Sequence, residues 1–468
     1  MIKELTRRAL LVGVCVLLIT LTGCDAPSSQ GSKPPANTTP LTLPPGKTST
    51  IPAVSNSDWT TYHGNNARTG LVENAPDPHQ LTRAWSVQLD GAVYAEPLVI
   101  GGSVIVATEG DSLYALDRHS GRVQWHTNVG TPVSLSTLPC GNIDPLGITG
   151  TPVYDPATRL VFAVAEIEGP AHILVGVDVD TGQVRVRRSV DLPAMEPQVH
   201  QQRAALALSQ NMVYVAYGGL DGDCGNYLGT VVASRTDGSG PLLSYQVPTP
   251  REGGIWAPSG PAVDDAGHIY VAVGNGETTQ GDWDHSDSVL RLSPTLNLED
   301  GFAPTQWQQE NATDADLGSM GPILLPGGLI FADGKAGLGY LLHAGALGGV
   351  GGQAQVKPIC TAFGGAAALG SQLFVPCVDG TQQVVVGPGA NLNLGWKAAA
   401  QISGSPIVGG HTVYILNPAG TLYALNAASG SVRARLSVGA ASRFATPTLS
   451  GNQVFVGTFG GVVAATIS

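Results

Sequence analysis

Short apolar runs of four to six residues, split by Gly, Pro, Asn and Asp, recur through most of the chain, and no long stretch carries a helical period. Such runs read as strands closed by turns. They fall into a unit that recurs eight times. Each copy opens on small residues, usually with Pro, continues into an apolar strand, turns, and returns in a strand of the type Val-Tyr/Phe-Val-Ala. The copies begin at Glu96-Pro97, Thr151-Pro152, Ala204-Ala205, Gly260-Pro261, Gly321-Pro322, Gly365-Ala366, Ser405-Pro406 and Thr446-Pro447. Their returning strands centre on Ile105, Phe162, Tyr214, Tyr270, Phe331, Phe374, Tyr414 and Phe455. The spacing runs from about 40 to 61 residues, the range of a propeller blade, with longer loops in the first half.

Third and fourth strands follow in several copies. Leu113 to Asp117 leads through Ser120-Gly121 to Trp125; Val175 to Asp178 leads through Thr181-Gly182 to Val186; Leu422 to Asn426 leads through Ser429-Gly430 to Ala434. The Asp or Asn starts a tight turn, and the Gly takes the left-handed backbone position. Trp85, Trp125, Trp307 and Trp396 are expected in fourth strands, packed between blades. The last copy has room for only three strands, whereas Leu81 to Leu89 has no blade of its own. The expected fold is therefore all-β: an eight-bladed β-propeller over residues 58–468, closed by pairing of this N-terminal strand with the C-terminal blade, which removes free sheet edges.

Composition fits this picture. Glycine is abundant (62 residues) and charged residues make up only 12%. A folded part of about 410 residues is long for one core, and repetition solves this because each blade packs only on its neighbours. The net charge of -12 argues against nucleic acid, whose phosphates require a basic face.

The N-terminus reads as an export signal. Lys3, Arg7 and Arg8 precede an apolar run from Ala9 to Ile19, shorter than the roughly 20 residues that span a bilayer. It ends in Leu21-Thr22-Gly23-Cys24, which resembles the bacterial lipobox. That resemblance implies a signal peptide over 1–23, lipidation of Cys24, and a chain held at a cell membrane, facing the periplasm or the exterior. Asp25 after the Cys resembles a signal for retention in the inner membrane. Residues 24–57, rich in Pro, Ser and Thr, read as a disordered tether. Cys140, Cys224, Cys360 and Cys377 remain, an even count that favours disulfides in an exported protein. Four cysteines allow three pairings; the expected one joins Cys360 to Cys377 within a blade and Cys140 to Cys224 between loops.

The turn Ala115-Leu116-Asp117…Gly121…Trp125 resembles the repeat of the pyrroloquinoline-quinone (PQQ) dependent alcohol dehydrogenases and of PQQ-like propellers generally. The resemblance covers residues 81–468. It implies a site in the middle blades. Gly253-Gly254-Ile255-Trp256 resembles the segment that supplies a Trp floor beneath PQQ, and Gly274-Asn275 resembles the one that supplies an Asn ligand to calcium. By the same resemblance Asp287, with Asp284 as substitute, is the catalytic acid; Lys335 contacts the quinone oxygens; and Asp223, or Asp221, stands near the calcium-binding Glu. Calcium would polarise the quinone, Lys335 would steady its reduced form, Asp287 would take an alcohol proton, and Trp256 would stack on the ring. The chain departs from that family in having no adjacent Cys-Cys pair and no CxxCH haem motif. Asp314 and Asp316 read as turn residues. His200, Gln201, Gln202 and Arg203 read as lining the central channel or decorating a loop.

Two functions follow. One is a membrane-tethered propeller that binds a small ligand or an envelope protein partner, as the resemblance to the PQQ-like outer-membrane assembly lipoprotein implies. The other is a PQQ- and calcium-dependent dehydrogenase of alcohols or sugars.

Overall fold

The computed structural model describes residues 58–468, and the expectations for the signal peptide, Cys24 and the tether lie outside them. Eight sheets follow one another along the chain. Blade 1 spans Leu98–Asn128, blade 2 Val153–Ser189, blade 3 Ala207–Gln246, blade 4 Ala262–Ala303, blade 5 Ile323–Pro358, blade 6 Ala367–Lys397 and blade 7 Ile407–Ser437. Blade 8 takes three strands from Thr448–Ile467 and its outer strand from Leu81–Gln88, paired antiparallel from Leu81↔Ile467 to Gln88↔Gly461. The ring closes as the strand count along the sequence requires.

Neighbouring blades interlock through one recurrent contact. The indole N–H of Trp85, in blade 8, donates to Arg118 O of blade 1 at 3.0 Å; that of Trp125, in blade 1, donates to Val179 O at 2.9 Å; that of Trp396, in blade 6, donates to Ala427 O at 2.9 Å. Each ring lies flat on the turn glycine of the next blade: a Cβ at Gly121 would stand 2.8 Å from Trp85. The turn therefore requires Gly both for its φ of +71° and for this approach. Trp307 departs from the expectation. It begins a short helix, Trp307–Thr313, inserted after the outer strand of blade 4.

The segment from Trp59 to Val72 crosses the propeller axis and touches every blade. Trp59 exchanges two backbone bonds with Val99 of blade 1, and Tyr154 N of blade 2 donates to Thr60 O. Val263, Leu324, Ala368 and Val408, from blades 4 to 7, donate to the carbonyls of Asn66, Ala67, Thr69 and Gly70. Asn66 Nδ2 donates to Leu208 O of blade 3, and His63 Nε2 meets Thr446 Oγ1, beside blade 8, at 3.1 Å. Innermost strands at a propeller axis expose backbone groups that need partners; this segment supplies them. Both expected disulfides form, Cys140–Cys224 and Cys360–Cys377.

Candidate functional site

Beside the axial segment lies a cavity of about 470 Å³, within the usual range for small-ligand sites. Its walls are strand ends and connections of the middle blades. Trp256 lies in the connection from blade 3 to blade 4, Asn275 follows the strand Ile269–Val273, and Lys335 follows the strand Leu329–Ala332. Asp221 and Asp223 come from the loop after Met212–Gly219. Trp256, Lys335, Asn275, Asp223 and Asp221 thus line one cavity, although they are scattered over more than a hundred residues. The backbone makes room for the indole at Gly218, where a Cβ would stand 2.7 Å from Trp256 Cβ.

The structure adds residues that the sequence reading did not assign to a site. Phe363 and Phe444 stand with Trp256 as three mutually adjacent rings, their centroids 6.3 to 6.4 Å apart. Three cations surround them. Arg203 Cζ lies 4.8 Å from the Phe444 ring, Arg443 Cζ lies 3.9 Å from the Phe363 ring, and Lys335 Nζ lies 5.6 Å from the Trp256 ring. All are within cation–π range. Gln201 and Arg203 line the cavity, whereas His200 and Gln202 are buried behind it.

Asp287 and Asp284 do not reach the cavity. Asp287 is 0% exposed; its Oδ1 accepts from Leu317 N at 2.6 Å, and burial beside Glu310 holds its pKa well above the usual range. Asp284 Oδ1 accepts from Ser286 N and Oγ and fastens its own turn. The acids that meet Lys335 are Asp314 and Asp316, read from the sequence as turn residues. Lys335 Nζ is ion-paired with Asp314, and it stands 2.6 Å from Asp316 Oδ2. Burial raises the Asp316 pKa to about 6, against the opposing charge of Lys335. Lys335 is held above its ordinary value, because Asp316 and Asp314 overcome its burial.

The residues that the sequence assigns to calcium each meet a protein partner through one polar atom. Calcium takes six to eight oxygens, yet Asp223 Oδ1 accepts the Tyr227 hydroxyl at 2.6 Å, and Asn275 Nδ2 donates to Glu252 Oε2 at 3.1 Å. Glu252 is in turn ion-paired with Arg251. Among the described residues no three His, Cys, Asp or Glu side chains gather as a metal site. Asn275 Oδ1 and Asp223 Oδ2, the oxygens a cation would use, take no part in these bonds.

Comparison with known proteins agrees on the architecture. A PQQ-repeat family model described as outer membrane protein assembly factor BamB matches residues 77–219 and 389–468. The fold is similar to the quinohemoprotein alcohol dehydrogenase of Comamonas testosteroni (TM-score 0.70, 14% identity, covering 88% of this chain and 80% of that one). It is similar to a europium-containing methanol dehydrogenase (TM-score 0.69, 15% identity, 88% and 98%). It also resembles BamB from Moraxella catarrhalis (TM-score 0.58, 14% identity, 83% and 100%). No curated protein matches the sequence. The chain is an eight-bladed β-propeller, and 223 of its 468 residues match the PQQ-repeat model.

Proposed function

We propose that this propeller is an extracytoplasmic, lipid-anchored binding module whose axial cavity takes a flat, multiply carboxylated ligand of the PQQ class. The observation that carries the reading is the packing of Arg203, Arg443 and Lys335 around the Trp256–Phe363–Phe444 cluster. Aromatic faces hold a planar ring system, and the two guanidinium groups match carboxylates two bonds at a time.

The test is a PQQ titration of the purified protein, with and without Ca²⁺, read by tryptophan fluorescence. Saturable quenching is expected, with at least a tenfold loss of affinity in Trp256→Ala and Lys335→Ala. Absence of quenching at high micromolar PQQ overturns the reading and leaves an envelope protein partner as the object of search. Anchoring through Cys24 is tested separately: Cys24→Ala should release the protein from membranes.

A second reading, dehydrogenase action on alcohols or sugars, is favoured by the Asp316–Lys335 pair. PQQ, when bound, supplies the two-electron oxidant. Lys335 would orient the ligand's oxygens, and Asp316, with a pKa of about 6, can hold or release a proton at Oδ2 through Lys335. Dye-linked oxidation by PQQ-loaded protein, lost in Asp316→Asn, is the expected result. No turnover across a broad alcohol and aldose panel rejects it.

A further inference from the structure

Outside the cavity, the turn between strands Ser103–Thr108 and Ser112–Asp117 of blade 1 buries two acids, Glu109 and Asp111, at 1% and 0% exposure. Neither carboxylate has a cation within ion-pair distance among the described residues. Glu109 Oε2 accepts the Gly147 N–H at 2.7 Å, but its Oε1 has no partner. Both oxygens of Asp111 are unpartnered. The neighbouring backbone closes on them: a Cβ at Gly147 would stand 2.9 Å from Asp111 Oδ1, and one at Gly130 would stand 3.3 Å from Oδ2.

Two neutral side chains face the same region. Thr149 is 4% exposed with its hydroxyl beside Glu109, and Gln202 is 0% exposed with its Oε1 lacking a hydrogen-bond partner. The third acid nearby, Glu166, is served differently. Its Oε1 accepts Gln202 N–H at 2.7 Å, and its Oε2 faces His172 Nε2 at 3.6 Å. His172 is held in turn by Asp191 at 2.6 Å. The protein therefore neutralises Glu166 and leaves Glu109 and Asp111 unpaired.

A buried carboxylate is paired, protonated or bound to a metal. We propose that Glu109 and Asp111, completed by the neutral oxygens of Thr149 and Gln202, hold a hard divalent cation of the calcium type between blades 1 and 2. The donors are all oxygen, as that ion class requires, and two carboxylates balance its charge. With no cation present, burial pushes both acids up to about 8, aided by Glu166 at Glu109 and by Glu109 and Glu166 at Asp111. The site shares no residue with the axial cavity and does not depend on what that cavity binds.

The experiment compares EDTA-treated protein with protein resupplied with Ca²⁺. Metal content is read by atomic emission, melting temperature by scanning fluorimetry, and direct binding by terbium luminescence sensitised by nearby tyrosines. One calcium per chain and a rise of a few degrees in Tm are expected. Asp111→Asn should lose both, while Asn275→Ala and Lys335→Ala, in the axial cavity, should keep both. Should Asp111→Asn fail to fold, Thr149→Val and Gln202→Met are read instead, with at least a tenfold loss of terbium affinity expected. Binding unchanged in these variants overturns the proposal. So does a wild-type protein that takes up neither metal but loses stability as pH rises through about 8, which would identify a protonated pair instead.

Discussion

Arg68 is 1% exposed at the propeller axis, and replacing it tests whether the N-terminal segment clamps the ring. Its Nε donates to Pro261 O at 3.0 Å, at the start of blade 4, and its Nη2 donates to Leu206 O at 3.0 Å, at the start of blade 3. Its Nη1 donates to Thr61 Oγ1 at 2.7 Å and to Tyr62 O at 3.1 Å. Glu96 is the nearby acid, and it anchors the same segment by accepting the Trp59 indole at 3.0 Å and the His63 N–H at 2.8 Å. Arg68→Met keeps most of the volume and removes the donors. It leaves three carbonyls without their partner in a dry site, at about 1–3 kcal/mol each, and removes the cation facing Glu96. Against this stands the desolvation of a guanidinium that Met no longer bears, several kcal/mol in the opposite direction. The net expectation is a loss of a few kcal/mol, about 1–3 for each carbonyl left dry less the desolvation recovered. That is a large part of the roughly 5–15 kcal/mol by which domains are stable.

The assay is urea denaturation followed by tryptophan fluorescence and far-UV circular dichroism, with coincident transitions required before a free energy is taken. The midpoint should fall with the slope unchanged. A loss under about 1 kcal/mol would refute the reasoning, because it would mean that blades 3 and 4 are held without this link. Retention of PQQ quenching alongside a lowered midpoint would place the effect on the fold and not on the cavity.

Other outcomes follow from the same contacts. Below a pH of about 6, Asp316 is neutral and Lys335 is freer to meet an anion, so PQQ affinity should strengthen as pH falls through about 6, and Asp316→Asn should abolish that dependence. Glu166 and Asp191 raise the His172 pKa to about 10 against its burial. This folded value lies above the unfolded one, so its stabilisation is complete below about 6.5. It is lost as pH rises through about 10, an alkaline step that His172→Gln should remove. The Cys140–Cys224 bridge spans 84 residues and flanks the loop carrying Asp221 and Asp223. The double Cys→Ala variant should lose about 2–5 kcal/mol in denaturant and weaken PQQ binding. Gly121→Ala should cost about 2–3 kcal/mol, combining a forced positive φ with the clash on Trp85; an unchanged melting temperature would contradict the interlock.

The fold was legible because a propeller writes its period into the chain: small residues where innermost strands crowd the axis, and a Trp with a turn Gly where blades meet. Ring closure followed from a missing strand in the last copy and a spare one at Leu81. The cavity was legible in part, because Asn275 and Lys335 follow equivalent strands and such positions converge on one face, where the connection carrying Trp256 joins them. The acid was not. The helix Trp307–Thr313 turns the chain so that Asp314 and Asp316 meet Lys335, and no strand period registers such an insertion. Asp287, just before the strand Ser288–Leu292, is buried against Leu317 N and Glu310. Arg203, Phe363 and Phe444 lie just before the small residues that open the copies at Ala204, Gly365 and Thr446. Aligning the copies exposes that signal: a large residue just ahead of a small pair faces the axis.

This placement bears on what the cavity is for. The chain has only 23 Lys and Arg against a net charge of -12, yet three of these cations stand around one aromatic cluster. Arg203 holds the place ahead of the innermost strand of blade 3 that Phe444 holds ahead of that of blade 8, and Arg443 stands one residue earlier. Blade packing does not require cations there, because the corresponding place before blade 6 holds Phe363. Burial lowers the Arg203 pKa and Arg443 lowers it further, whereas Lys335 is already paired with Asp314 and Asp316. An anion that enters the cavity therefore gains most from the two guanidinium groups, whose mutual repulsion it relieves.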